Sequence, residues 1–202
     1  MSVILTFHIN GFFGIAFSAY TKFFVSYTPL NLLVAVAMII WVQEGKNRSF
    51  WYFLVGSGIA GWLIEFVGVR TSLPFGQYHY HDVLGFEVFD IPLMTAVIWW
   101  LTAFGASAIA NELAASRYSR ILLASLLMVL FDVPVEHITG KMGMWHWEIG
   151  YAPFQNYLGW LFYGAIMQYF LQTMNIERKN IVAIVYFVSA FLFFLGLDMV
   201  EW

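Results

Sequence analysis

Long runs of apolar residues alternate with short polar stretches along most of the chain. Five of these runs approach or exceed the length needed to cross a hydrocarbon core of roughly 30 Å, which is about 20 residues in a helix. The first two runs are weaker: one contains His8, Asn10 and Gly11, and the other has only about fifteen residues, so we expect tilted, broken or partly buried helices there. The pattern predicts seven membrane helices, at residues 3–19, 29–43, 50–67, 91–113, 119–138, 156–174 and 181–200.

Two connections between these helices, at residues 68–90 and 139–155, are long and polar. Both are rich in Gly, Pro, His, Tyr and Trp, which favours ordered, partly re-entrant turns over solvated linkers. Residues 121–131 show no alternation of apolar and polar positions, which argues against a β-barrel. We therefore predict an all-α fold: a single integral membrane domain, residues 1–202, built as a bundle of about seven transmembrane helices with two long ordered polar loops on one face.

Composition supports a membrane protein. Of the 202 residues, 61% are hydrophobic and 20% aromatic, and the mean hydropathy is +0.76. Only 10% are charged, whereas a soluble domain averages about 25%. The absence of cysteine excludes disulfides, thiolate metal ligands and cysteine nucleophiles. Residues 1–6 lack a basic start, so no cleavable signal is predicted.

Charged residues indicate an orientation for the bundle. Six basic residues fall on one side and three on the other, which favours a cytoplasmic location for the larger set in a cell membrane, with the polar loops on the opposite side. The larger set is Lys46, Arg48, Arg117, Arg120, Arg178 and Lys179, and the smaller is Lys22, Arg70 and Lys141. Acids at the ends of the third, fifth and seventh predicted helices converge on the opposite leaflet: Glu65, Asp132, Glu136, Asp198 and Glu201.

Asp132 and Glu136 are four residues apart, and hence lie on one face of a helix. Two carboxylates this close in a low dielectric do not both ionise cheaply, so one is expected to hold a proton, which suits general acid–base catalysis. The alternative is a helix end that emerges into water, but Pro134 and the Trp-rich turn beyond it disfavour this. Glu65 is the third candidate, with an ion pair to Arg70 as its structural alternative.

Aromatic residues concentrate in the same two polar connections as the acids. An interfacial belt is the ordinary explanation, but aromatic faces also stabilise a desolvated cation by up to about 2 kcal/mol. Phe75, Tyr78 and Tyr80 lie in one connection and Trp145 and Trp147 in the other, with Tyr151 and Trp160 nearby.

Histidines in these connections suggest a metal site, with His79 and His81 two residues apart and His137 and His146 further on. Five histidines in total cannot supply the HxxxH or HxxHH sets of membrane di-iron oxygenases, so no metal is predicted and the histidines are interpreted as hydrogen-bond partners or proton relays. The last helix has no lysine for a retinal Schiff base, which excludes an opsin.

A series of short motifs follows the third predicted helix in order. They are Glu-Phe-Val-Gly at 65–68, Pro74-Phe75-Gly76-Gln77-Tyr78-His79-Tyr80, Leu84-Gly85, Pro92 with Trp99-Trp100, Asp132-xxx-Glu136, Gly143-Met144-Trp145-His146-Trp147, and Tyr-Ala-Pro-Phe-Gln-Asn-Tyr-Leu-Gly-Trp at 151–160. Together these motifs, which cover half of the chain, resemble the CruF-type carotenoid hydratases and related carotenoid-biosynthesis membrane proteins.

This resemblance implies an enzyme that adds water to the terminal double bond of an acyclic carotenoid end group, giving a tertiary alcohol with no redox cofactor. The implied substrate is a lipophilic carotenoid of the lycopene or γ-carotene type, taken from membrane lipid, and no nucleic acid partner is expected. The small lycopene cyclases carry similar acid motifs near prolines and tryptophans, so cyclisation stays an alternative outcome.

Hydration of such an alkene begins with protonation to a tertiary cation, which water then captures. We expect the pair Asp132 and Glu136 to supply the proton, with Asp132 preferred because it lies deeper, and Glu65 to orient or deprotonate the water. The residues expected to bind the substrate are Phe75, Tyr78, His79, Tyr80, Trp145, Trp147 and Asn156.

Two other classes of protein remain as alternatives. Intramembrane acids are equally typical of proton- or ion-coupled transporters, although these acids gather at one leaflet and the chain shows no inverted repeat. The second is a membrane protein that binds carotenoid or lipid without catalysis.

Overall fold

The computed structural model describes residues 1–200, which fold mainly as α-helices. The eight helices in this part of the chain are α1 (Ser2–Ala16), α2 (Thr21–Ser26), α3 (Thr28–Val42), α4 (Arg48–Thr71), α5 (Met94–Leu113), α6 (Arg117–Met142), α7 (Phe154–Thr173) and α8 (Ile181–Asp198). The short strands are β1 (Tyr78–Tyr80), β2 (Glu87–Val88), β3 (Ile91–Pro92) and β4 (Trp145–Trp147), with a 3-10 helix at Asp82–Leu84.

Four helices, α4, α5, α6 and α8, are long and apolar enough to cross a membrane. The prediction of an all-α fold is therefore confirmed, and the four apolar helices support a membrane protein. The seven predicted segments overlap α1 and α3 to α8, and α2 was not predicted. However, α1 and α3 have only 15 residues each, or roughly 22 Å at 1.5 Å per residue, and α7 is not among the helices that are long and apolar enough to cross a membrane. Seven membrane crossings stay a prediction.

Side-chain caps begin three of the long helices. Asn47 accepts a hydrogen bond from the Phe50 amide at 3.0 Å at the start of α4, Ser116 forms a capping box on α6, and Asn180 caps α8. Each cap satisfies amides that have no partner inside the helix. At the other end of α6, Gly143 adopts a left-handed conformation with φ of 67°, which a residue without a Cβ adopts readily, and the chain turns there towards β4.

Helix α5 lies at the centre of the bundle, in contact with α3, α4, α6, α7 and α8. Polar side chains of α7 reach across to it: Gln168 donates to the Ala103 carbonyl at 2.8 Å, and Gln172 donates to the Ser107 hydroxyl at 2.9 Å. Small residues let neighbouring helices approach closely, and hydrogen bonds between polar side chains help to hold membrane helices together. The buried small residues of α5 are Ala103, Gly105, Ala106, Ser107, Ala108 and Ala110.

Helix α1 packs parallel to α8. Gly11 faces Phe193, and further along both helices Phe12 faces Gly196. The C-terminal ends of α1 and α8 therefore lie at the same end of the bundle, and α2 with the start of α3 contacts the 3-10 helix there. The weak first two apolar runs thus close one side of the bundle at the end that carries the long loops.

The two predicted polar loops meet as a small antiparallel sheet. Tyr78 pairs with Trp147, and Tyr80 pairs with Trp145, so β1 and β4 join the chain after α4 to the chain after α6. Both helices continue beyond their predicted ends, at residues 67 and 138, to bring the strands together. The carboxylates near the ends of these helices consequently face a shared set of aromatic residues.

We predict that Gly61→Ala lowers the stability of the bundle, because an added Cβ would lie 2.5 Å from the Trp99 Cβ on α5. Overpacking of this kind costs about 1–3 kcal/mol. Gly56→Ala on the same helix is the matched control, since its Cβ would meet no atom within 4 Å. Thermal unfolding in detergent should show a lower midpoint for Gly61→Ala alone, and equal midpoints would contradict this packing.

Candidate active site

Three acidic side chains are buried where α4 and α6 approach the strand pair. Glu65 is 7%, Asp132 1% and Glu136 8% exposed. The alternative in which α6 ends in water with solvated acids is therefore wrong. An acid held away from water needs donors from the protein, and the three acids obtain them in different ways.

Glu65 accepts three hydrogen bonds from aromatic side chains. The Tyr78 and Tyr80 hydroxyls donate to Oε2 at 2.6 and 2.8 Å, and the Trp99 indole N–H donates to Oε1 at 2.7 Å. Arg70 instead pairs with Asp90 at 2.8 Å, so the proposed ion pair between Glu65 and Arg70 does not form. Both oxygens of Glu65 are thus oriented by rigid aromatic donors.

Glu136 accepts three hydrogen bonds in a similar arrangement. The indole N–H groups of Trp147 and Trp145 donate to Oε2 at 2.6 and 3.0 Å, and the Asn156 amide donates to Oε1 at 3.3 Å. The same amide nitrogen donates to Asp132 Oδ2 at 2.7 Å. Asn156 therefore bridges the two acids of α6, whose four-residue spacing puts them on one face of the helix.

A small chamber of about 30 Å³ lies between the two glutamates. Glu65 and Glu136 both line it, whereas Asp132 does not. Asp132 Oδ1 is buried and has no hydrogen-bond partner within the described residues. The other residues that line the chamber are Phe75, Tyr78, Tyr80, Thr95, Ile98, Trp99, Trp145, Asn156 and Trp160.

The pairing of β1 and β4 decides which loop residues reach the chamber. Because successive strand residues point to opposite faces, Tyr78 and Tyr80 point inwards and His79 points outwards, opposite His146. His79 approaches Glu148 at 3.2 Å on the exposed face. The structure therefore does not bring His79 to the predicted substrate site, although the neighbouring tyrosines lie there.

Of the other predicted binding residues, Phe75, Trp145 and Asn156 line the chamber, and Trp147 reaches it through its bond to Glu136. Sequence reasoning assigned no role to Trp99, although it bonds Glu65 and stacks on Trp160 with ring centroids 4.3 Å apart. Thr95 and Trp99 are four residues apart, which puts them on one face of α5. This spacing is the sequence signal from which that wall of the chamber could have been predicted.

Other candidates from the sequence lie elsewhere. Asp198 bonds His137 at 2.9 Å, away from the chamber, and Glu201 lies outside the described residues. His79, His81 and His146 cluster on the exposed face of the strand pair, with ring centroids 5.3 to 6.3 Å apart. Within residues 1–200, no group of three or more His, Asp or Glu side chains has an arrangement that could hold a metal ion.

The two tyrosines of β1 are held in their neutral form. Burial raises the pKa of Tyr78 and of Tyr80 above the ordinary value of 10.0, and the nearby negative charge of Glu65 raises both further. Both phenols therefore stay hydrogen-bond donors across the physiological range.

Residues 26–201 match a family model described as carotenoid biosynthesis protein. The matched region contains α3 to α8 and all the residues that line the chamber. The chain belongs to this family. The family resemblance found in the sequence motifs is therefore confirmed.

The chain is similar in sequence to the bisanhydrobacterioruberin hydratase of Haloarcula japonica. It is 31% identical over 156 residues, which is 73% of this chain and 53% of that protein. The chain thus spans about half the length of this relative. No solved structure matches the chain.

We predict that the folded protein loses stability as the pH rises above about 10, because the unfolded chain then ionises phenols that the folded chain keeps neutral. Each raised pKa contributes stability that is complete below the ordinary value and is lost above it, by up to about 1.4 kcal/mol per pH unit. Melting temperatures from about pH 9 to about pH 11 should fall less steeply for Tyr78→Phe and Tyr80→Phe than for the unmodified protein. Tyr151→Phe, at a residue that is 68% exposed, should keep the original slope, and identical slopes for all variants would contradict the assignment.

Proposed function

We propose that this protein is a carotenoid hydratase that works without a cofactor and adds water to the terminal double bond of an acyclic end group, with a lycopene or γ-carotene type substrate. The observation that carries the proposal is the chamber in which buried glutamates from two helices face each other between aromatic walls. Membership of a carotenoid biosynthesis family and a relative named as a hydratase support the same chemistry.

The first step is protonation of the double bond by the acid pair on α6. The sequence favoured Asp132 as the proton donor. However, Glu136 lines the chamber, whereas Asp132 does not and is connected to Glu136 only through the amide of Asn156. We therefore assign the transfer to Glu136, with Asp132 as the neighbour that helps keep a proton within the pair. The proton bonds to the less substituted alkene carbon, which leaves a tertiary cation.

Water then captures the cation. A volume of about 30 Å³ is enough for one water, which needs about 10–15 Å³ and two or more polar partners. Glu65 accepts the proton that this water releases, so one proton enters the product and one is returned to the site. The net reaction is alkene plus water to tertiary alcohol, with no change in redox state.

The aromatic walls stabilise the intermediate. Tyr78, Tyr80 and Trp145 line the chamber, and a cation held against the faces of such rings gains up to about 2 kcal/mol when desolvated. Their N–H and O–H groups hold the glutamates in fixed positions, which avoids reorganisation during the reaction. The same side chains therefore orient the acids and shield the cation.

We further propose that the chain is one domain in the cytoplasmic membrane, with seven crossings and the chamber on the side opposite the basic loops. In support, α4 and α6 both begin at an arginine, Arg48 and Arg117, and carry their acids towards the other end. Arg178 and Lys179 likewise lie just before the start of α8, so these basic residues belong to the same end of the bundle as Arg48 and Arg117.

We predict that Glu136→Gln and Glu65→Gln each lower hydration by about 10²–10⁴-fold, because each removes a proton-transfer group. Asp132→Asn should cause a smaller loss, of about tenfold, through its bridge to Asn156. The measurement is chromatography and mass analysis of pigments from a host that makes lycopene or γ-carotene, where the product gains the mass of one water per modified end.

Asp198→Asn is the control, since Asp198 pairs with His137 outside the chamber, and it should retain full activity. Hydrated carotenoid at the original level from all three acid variants would contradict the mechanism. A cyclised carotenoid of unchanged mass would indicate a cyclase, and unmodified carotenoid that co-purifies with the protein would indicate a binding protein.

A further inference from the structure

The acid chamber is too small for a carotenoid end. Its volume is about 30 Å³, whereas small-molecule pockets span about 300–1,000 Å³. A second cavity of about 460 Å³ lies beside it and is lined by residues of α1, α2, α3, α5, α6 and α8. The second cavity is the one with room for an isoprenoid segment.

The two cavities share a wall made of Ile98 and Trp145, which line both. Trp145 donates its indole N–H to Glu136 at 3.0 Å, while its ring also borders the large cavity. One side chain therefore touches the acid and the space where a ligand fits. A double bond at this wall would lie beside the acid chamber.

The chemistry of the large cavity suits a hydrocarbon. Phe7, Phe24, Phe131 and Phe194 are among the residues that line it. Three of its polar side chains already donate to backbone carbonyls, so these donors are not free to oppose an apolar ligand. These bonds are Asn10 to the Thr6 carbonyl at 2.8 Å, Thr28 to the Val25 carbonyl at 2.7 Å and Thr102 to the Ile98 carbonyl at 2.5 Å.

The large cavity also reaches the surface. Phe23 and Tyr27 line it, yet they are 56% and 45% exposed. An aromatic rim of this kind lets a long polyene continue outwards into lipid while its end stays inside. The volume fits one end of a carotenoid rather than the whole molecule.

We propose that the large cavity binds the terminal isoprenoid segment of the carotenoid, and that Ile98 and Trp145 position its double bond against the acid chamber. This inference rests on the proposed function and names the place where the substrate lies. It assigns substrate binding to α1, α2 and α3, which carry none of the acids.

The test fills the large cavity without touching the acids. At Gly11, on its wall, an added Cβ would meet only the edge of the Phe193 ring, at 3.4 Å, so Gly11→Leu extends into the space. We expect Gly11→Leu alone to lower the hydration rate by about tenfold or more, because overpacking of a binding site weakens binding. In a Glu136→Gln background, we expect the same substitution to lower the amount of lycopene that the protein retains by about tenfold or more. Gly56→Leu, at a site with no atom within 4 Å of its Cβ, should change neither quantity.

A second pair keeps the result clear if Gly11→Leu folds poorly. Asn31→Phe fills the same cavity from a half-buried position, and Leu33→Phe on the same helix is its control because Leu33 is 47% exposed. Unchanged lycopene retention and hydration in the cavity-filling variants would overturn this inference and leave the hydratase proposal intact. Absence of hydrated product from the unmodified protein would overturn the proposed function itself, whereas lycopene retention reports on the cavity alone.

Discussion

A carboxylate buried among membrane helices must find its hydrogen-bond donors inside the protein, because lipid offers none. Glu65 and Glu136 meet this constraint with three donors each. Four of the six donors come from β1 and β4, three-residue strands that would have little stability alone. The strand pair, the extended ends of α4 and α6, and the inward tyrosines and tryptophans are all consequences of satisfying two acids.

The choice of donors adds a second property to the site. An asparagine or serine could also bond a carboxylate, but a tryptophan or tyrosine brings a large rigid ring together with its single donor. Five of the six donors here are aromatic. The chamber is therefore polar at its acids and apolar nearly everywhere else, and the stack of Trp99 on Trp160 fixes the wall between α5 and α7.

The apolar runs predicted the helices well because burial in lipid acts on the whole run. Their ends were less predictable, since α6 continues through Pro134 and several polar residues to Met142, and hydropathy does not detect hydrogen bonds that continue a helix.

The grouping of Glu65 with the acids of α6 followed from counting helices. The strand pair did not, because its partners are far apart in sequence. Even so, the alternation in Tyr78-His79-Tyr80 was a visible period-2 signal that would have placed His79 outside. The large cavity depends on where three-dimensional packing leaves space, and no sequence pattern records that.

The order of the donors along the chain bears on how the protein is made. Glu65 is bonded by residues 13, 15 and 34 positions after it, and Glu136 by residues 9, 11 and 20 positions after it. Synthesis proceeds from the N-terminus, so each acid meets its own donors soon after it emerges. Neither acid depends on a hydrogen-bond donor from the other half of the chain. Each acid can thus gain hydrogen-bond donors from its own part of the chain during insertion, and the pairing of β1 with β4 then joins the two parts.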